Sequence, residues 1–251
     1  VRLMRKYKRG KNSRIKKLLA GTLVLCMGMV LWAGCGSQSE EKQTSQEETA
    51  SSGKEEDKIQ IGLTVDSFVI ERWIRDRDVF VATARELGAE VNVQDAGADV
   101  QEQISQIEYF ISKQMDVIVV IARDCGILSD VIQKAHNAGI PVISYDRMIN
   151  NADTDFYISF DNRKVGEIMA QALVDALPQG GDIFMIQGPL SDNNVHMLKE
   201  GFDDTLEDTN LNVVYEANCD GWTAELAVGY MEEALEKYPH VKGIMCGNDD
   251  I

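Results

Sequence analysis

Histidine is scarce in this 251-residue chain: His136, His196 and His240 stand far apart, the first two on expected helix surfaces. That spacing argues against a metal centre, which needs ligands gathered in one place. Cysteine is little richer. Cys26 and Cys35 lie near the N-terminus, while Cys125, Cys219 and Cys246 lack the close spacing of zinc ligands. An odd three cannot all pair; an oxidising compartment would permit a Cys219–Cys246 bridge, and three unbridged thiols are the favoured expectation. No Gly-x-Gly-x-x-Gly follows a strand-like run and no P-loop sequence occurs, so both common nucleotide grips of α/β sheets are missing. No Ser or Cys nucleophile has a His beside it, and Cys125 on its turn after Asp124 stands alone. Asp146 and Asp249 remain as a formal carboxylate pair, yet Arg147 and Asn248 beside them suit holding more than proton transfer. Catalysis and a cofactor are therefore not expected.

Acidic residues are absent from the first 35 positions, which carry nine basic ones between Arg2 and Lys17 ahead of an apolar run, Leu18 to Trp32. The run falls short of the roughly 20 residues that cross a bilayer, and the pattern is that of an exported chain's signal segment. Residues 36–57 contain no large apolar side chain and read as a disordered acidic tether. Without the nine leader charges, 16 of the 25 Lys and Arg face 41 Asp and Glu, and the net charge moves from −16 to −25. Nucleic acid is excluded as a partner, because phosphate binding needs basic clusters.

From Ile59 onward short β-branched runs alternate with apolar patterns at helical spacing, which predicts an α/β fold with parallel sheets. Strands are expected at residues 59–65, 90–95, 117–122, 141–145, 156–160, 182–187, 211–217 and 243–246. Helices are expected over 73–87, 100–113, 127–137, 163–177, 195–206 and 223–237. In the first helix Trp73, Val79, Phe80, Ala84 and Leu87 are expected to face the sheet, and Gly88 and Gly139 suit helix C-caps. The pattern divides into a first lobe, 58–161, and a second, 162–251, each Rossmann-like.

Polar and aromatic groups gather in the loops that follow strands, where open α/β sheets bind ligands. Asp146 and Arg147 directly follow the strand ending at Tyr145. A sugar offers vicinal hydroxyls and an apolar C–H face, so its site needs carboxylates, amides, guanidinium forks and an indole. Arg72 and Arg147 supply forks, Asp146 an acceptor, Asn194 and Asn248 mixed groups, and Trp222 or Trp73 a stacking face. Asp161-Asn162 reads as a helix cap and hinge, and Asp192 as support for its loop. By its place after a buried strand, Arg147→Ala is expected to abolish sugar uptake and leave folding intact.

Glu71-Arg72-Trp73, Asp76 to Phe80, Tyr145 to Asn150, Asp155 to Asn162, Asp192 to Asn194, Asp220 to Trp222 and Gly247 to Asp249 occur in this order. Together they resemble the xylose-binding group of periplasmic sugar receptors of ABC importers, within the ribose/galactose-binding (type I periplasmic binding protein) superfamily. The resemblance runs from about Lys58 to the end. It implies a monosaccharide, D-xylose by preference, clamped between two lobes by Arg72, Asp146, Arg147, Asn194, Trp222 and Asn248, with Trp73 a lesser contact. Ala33-Gly34-Cys35 is similar to a lipoprotein lipobox with Trp32 in its aliphatic place, implying a lipid anchor on Cys35 and residence at the cell surface or in the periplasm. Partners implied are the permease subunits of an importer or, in the alternative, a membrane histidine kinase or chemoreceptor. Repressors sharing the fold place a helix-turn-helix where the leader and tether stand here. Family members continue well past the Gly-Asn-Asp motif, so the second lobe is expected to be incomplete at Ile251 and sugar binding by this chain impaired.

Overall fold

The computed structural model describes residues 58–251; the signal segment, the lipidation at Cys35 and the tether, all expected from sequence, lie outside the described residues. Within them the chain runs β1 (Ile59–Val65), α1 (Glu71–Glu86), β2 (Ala89–Asp95), α2 (Val100–Ser112), β3 (Val117–Ile121), α3 (Ser129–Asn137), β4 (Val142–Tyr145) and β5 (Phe156–Ile158). It continues with α4 (Asn162–Ala176), β6 (Gly181–Gln187), α5 (Asn193–Leu206), β7 (Leu211–Asn218), a 3-10 turn (Asp220–Trp222), α6 (Ala224–Lys237) and β8 (Gly243–Cys246). The expected α/β class with two parallel sheets is what the chain adopts.

The first sheet has the order β2-β1-β3-β4-β5 and the second β7-β6-β8, every pairing parallel. Each sheet begins at an inner strand, steps outward once, and returns to the other side. The gaps beyond β1/β3 and β6/β8 are therefore the points where strand order reverses, and loops there splay apart to leave a crevice.

Strand composition explains the layering. Val117 to Ile121 is a continuous β-branched run with four of its five residues buried, as a central parallel strand with both faces covered requires. On one face of the first sheet, Ile107 and Phe110 of α2 and Val131, Ile132 and Ala135 of α3 pack with Ile118, Val120 and Val142. A Cβ on Gly62 in β1 would run into the Phe110 ring, so glycine there lets α2 lie close. On the other face α1 brings Trp73, Ala84 and the half-buried Phe80 to the sheet. Val79 and Leu87 depart from expectation, being 67% and 71% exposed. Successive helical residues turn 100°, which puts Val79 about 120° from the Trp73–Phe80–Ala84 stripe, and Leu87 already lies beyond the helix end as its C-cap.

In the second sheet α4 and α5 meet through glycines. A Cβ on Gly166 would overlap the Leu198 carbonyl, and one on Gly201 the Arg163 carbonyl, so the two backbones nearly touch. Around them Ala170, Ile183, Met185, Leu198, Phe202 and Met245 form the core. Asp99, Asp161 and Asp192 cap α2, α4 and α5, each carboxylate accepting from free N–H groups of the first turn. Gly88 and Gly139 carry positive φ, 83° and 76°, as helix-ending residues do. Cys125, Cys219 and Cys246 are unbridged. Cys219 and Cys246 belong to chain segments on opposite sides of β6, two strand spacings or about 10 Å apart, outside disulfide reach. Burial pushes all three thiols above their ordinary pKa.

Candidate functional site

The carboxyl ends of both sheets face one cavity of about 400 Å³. Arg72, Trp73, Asp146, Arg147, Asn194, Trp222 and Asn248 all line it, so the residues singled out from sequence share a single cavity.

Asp146 is the centre of the polar network. Its φ of 64° lies in the left-handed region, which costs an ordinary side chain about 1–2 kcal/mol. The residue sits where β4 ends, and its N–H donates to the Ile158 carbonyl at 2.7 Å. In an extended strand neighbouring side chains point to opposite faces; the left-handed turn breaks that alternation and lets both Asp146 and Arg147 line the cavity. One carboxylate oxygen of Asp146 accepts from Arg72 Nη2 at 2.5 Å, the other from Asn194 Nδ2 at 2.8 Å. Asn194 in turn accepts from Asn162 Nδ2 at 3.1 Å.

Arg72 is aimed by its surroundings. Asp76 lies 3.4 Å from its Nε and also accepts from the Tyr145 hydroxyl at 3.0 Å. The guanidinium carbon stands 4.3 Å from the Trp73 ring centre and 5.3 Å from that of Phe160. Burial works against the charge of Arg72, and the Asp146 carboxylate, aided by Asp76, outweighs it, leaving its pKa raised.

Arg147 is 2% exposed and bridges the two sheets. Its Nη1 donates to Asp66 Oδ2 at 2.7 Å and to the Ala122 carbonyl at 3.0 Å, while Nε lies 2.8 Å from Asp192 Oδ2. Asp66 follows β1 and Asp192 precedes α5, so one guanidinium ties both halves together. Burial opposes its ionisation, and Asp192 and Asp66 overcome that and raise its pKa. Burial pushes the Asp192 carboxyl up, against the pull of Arg147, the Asn194 amide and the Trp222 indole. The expectation that Arg147→Ala leaves folding intact is thereby revised: removing the cation strands the buried Asp192 carboxylate and leaves Asp66 only its longer contact with Arg123 Nε at 3.8 Å.

Trp222 is buried, with Nε1 donating to Asp192 Oδ2 at 3.2 Å. Trp73 is 2% exposed, and its Nε1 has no hydrogen-bond acceptor among the described residues. Asn248 lies at the cavity rim and accepts from the Asp250 and Ile251 N–H groups at 3.0 and 3.1 Å. A second link between the halves joins Arg123 to Asp220 at 3.2 Å, and the Cys125 N–H donates to the Ser191 carbonyl at 2.9 Å.

Sequence reasoning passed over Asp66, Phe160 and Asn162 as site residues. Asp66 carried a usable signal, since it follows β1 as Asp146 follows β4. Asn162 was read as cap and hinge; Asp161 is the cap, and the Asn162 side chain reaches the cavity. Asp192 supports its loop as expected, and holds Arg147 and Trp222 as well. Among the described residues no cluster of His, Cys, Asp and Glu has metal-binding geometry, and no helix is long and apolar enough to cross a membrane.

Residues 61–251 match the family model described as periplasmic binding protein domain. The D-xylose-binding periplasmic proteins of Haemophilus influenzae and Escherichia coli are each 43% identical over 196 residues, covering 76% of this chain and 59% of theirs. The chain thus spans about three fifths of the length of these curated relatives. Among solved structures, an ABC transporter solute binding protein from Clostridium phytofermentans with bound β-D-glucose superposes with a TM-score of 0.71 at 28% identity, over 76% of this chain and 65% of that one. Another, from Actinobacillus succinogenes with bound D-allose, gives 0.70 at 26%, over 77% and 70%. With two parallel sheets meeting at one cavity and a family match over most of its length, the chain belongs to the periplasmic binding protein family.

Proposed function

We propose that this chain is the ligand-binding part of an exported sugar receptor whose cavity takes a monosaccharide, D-xylose by preference, for delivery to an ABC importer. It acts as a receptor, without a catalytic step. The observation that carries the reading is the convergence of Arg72, Asp146, Arg147, Asn194, Trp222 and Asn248, drawn from five separate chain segments, on one cavity. Donors, acceptors and an indole surround a volume at the small end of the usual ligand-pocket range. The names of the 43% identical relatives support xylose, and bound sugars in the similar structures support the wider class.

In this reading the halves 58–161 and 162–251 are two lobes that close about a hinge near Asp161. Asp146 lets go of part of its contact with Arg72 and Asn194 to accept sugar hydroxyls, and the Trp73 N–H gains an acceptor. The leader and Cys35 place the receptor outside the cytoplasm on a lipid anchor, held away from the membrane by the tether of residues 36–57.

Calorimetric titration of the full-length receptor with xylose, ribose, arabinose, glucose and galactose tests the assignment, with xylose expected to bind tightest. Equal heats from all five, or none from xylose, would end it. Asn194→Ala, which removes a hydrogen bond to a charged carboxylate, is expected to weaken xylose binding about tenfold or more.

A further inference from the structure

Trp222 rests on two strand ends that carry no side chain. Gly188 follows β6 and Gly247 follows β8, neighbours in the second sheet. A Cβ at Gly188 would overlap Cζ2 and Cε2 of the indole, and one at Gly247 would come within 3.1 Å of Cζ3. Neither glycine has a positive φ, so space and not backbone conformation keeps side chains away. The shelf itself is fastened: Gly247 N–H donates to the Ile186 carbonyl at 2.8 Å, and the Gly188 carbonyl accepts from Asn218 Nδ2 at 2.8 Å.

The indole is pinned from the other directions as well. Its Nε1 is bonded to Asp192, and Gly221 and Trp222 both have left-handed backbones with φ of 60° and 58°. Trp222 and Gly247 line the cavity, and Gly188 is buried against the six-membered ring of the indole. Anything added at Gly188 pushes the ring toward the cavity, since the shelf behind it is hydrogen-bonded in place.

We infer that Gly188 and Gly247 form a side-chain-free shelf that sets how far the Trp222 indole projects into the cavity, and so the room left for a sugar ring. These two glycines are positioning residues that act on specificity through Trp222. The inference rests on the sugar reading above, but its geometric half can be measured without ligand.

The full-length receptor is labelled with 5-fluorotryptophan and the Trp222 resonance is assigned by its loss in Trp222→Phe. In Gly188→Ala the Trp222 resonance is expected to shift while that of Trp73 stays, and xylose affinity to fall about tenfold or more, the scale of one misfitted carbon in a pocket. Gly247→Ala, with its milder contact, is expected to do the same to a smaller degree, and it carries the test if Gly188→Ala does not fold. In a Trp222→Phe background the smaller ring leaves space, and the cost of Gly188→Ala is expected to drop below about threefold, the coupling that marks two groups in contact. An unmoved Trp222 resonance, or an equal affinity loss in both backgrounds, overturns the inference. A parent protein that binds no sugar overturns the functional reading and the specificity role with it, while the resonance still decides whether the shelf positions the indole.

Discussion

Arg147→Met replaces a buried guanidinium by an apolar chain of similar length and leaves Asp66 and Asp192, both under 5% exposed, without their shared cation. Breaking a buried ion pair from one side costs about 3–5 kcal/mol, since the stranded charge keeps its desolvation penalty. For a domain of this size each kcal/mol shifts the melting temperature by about 2–4 °C, so thermal unfolding at pH 7 is expected to fall by about 6–20 °C. The pH dependence supplies a second check. A carboxyl whose folded pKa lies above its unfolded value holds its proton better when folded, so stability gains as pH falls through the folded value. Asp192 is already raised by burial with Arg147 pulling it down; without the cation it rises further, and the deficit of the variant is expected to shrink on acidification. Replacing both carboxylates as well, with Asp66→Asn and Asp192→Asn in the same chain, is expected to recover part of the loss. A single variant that melts within about 1 °C of the parent at pH 7 would show that water reaches these carboxylates and that the buried triad does not hold the two sheets together.

Gly166→Ala gains about 1 kcal/mol in helix propensity, yet its Cβ would strike the Leu198 main chain, which cannot turn aside as a side chain can. A net loss of about 1–3 kcal/mol by thermal unfolding is expected, and a rise in melting temperature would show that α4 and α5 are looser than described. Burial raises the Cys125, Cys219 and Cys246 thiols and so lowers their thiolate fraction at pH 7. Under native conditions these three are expected to react slowly with a thiol reagent and rapidly after denaturation, with no Cys219–Cys246 bridge by non-reducing mass mapping; fast native reaction would contradict their burial, and a bridge the strand order.

Much of the architecture was legible in the amino-acid order because its signals are local. Alternation of β-branched runs with helical periodicity located every strand and helix of the described residues, most ends falling within a residue or two. The departures come where apolar residues alone set the boundary: Ile127 precedes α3, which starts at Ser129, and of the five residues FYISF only the first three form the strand. Polar groups after strands pointed to the edge of the sheets where the cavity lies, since only strand ends at a reversal of order open a crevice.

Sequence by itself determined the α/β class, the parallel sheets and the strand-end segments from which much of the cavity lining comes, because hydrophobic period and strand-end chemistry are written within a few residues. Tertiary structure alone decided that Arg147 is a buried bridge, that Asn162 reaches past its cap position, and that Trp222 lies on bare glycines. Asp66 and Arg147 are 81 positions apart, and an ion pair across that span leaves no trace in either neighbourhood until folding brings the two strand ends together.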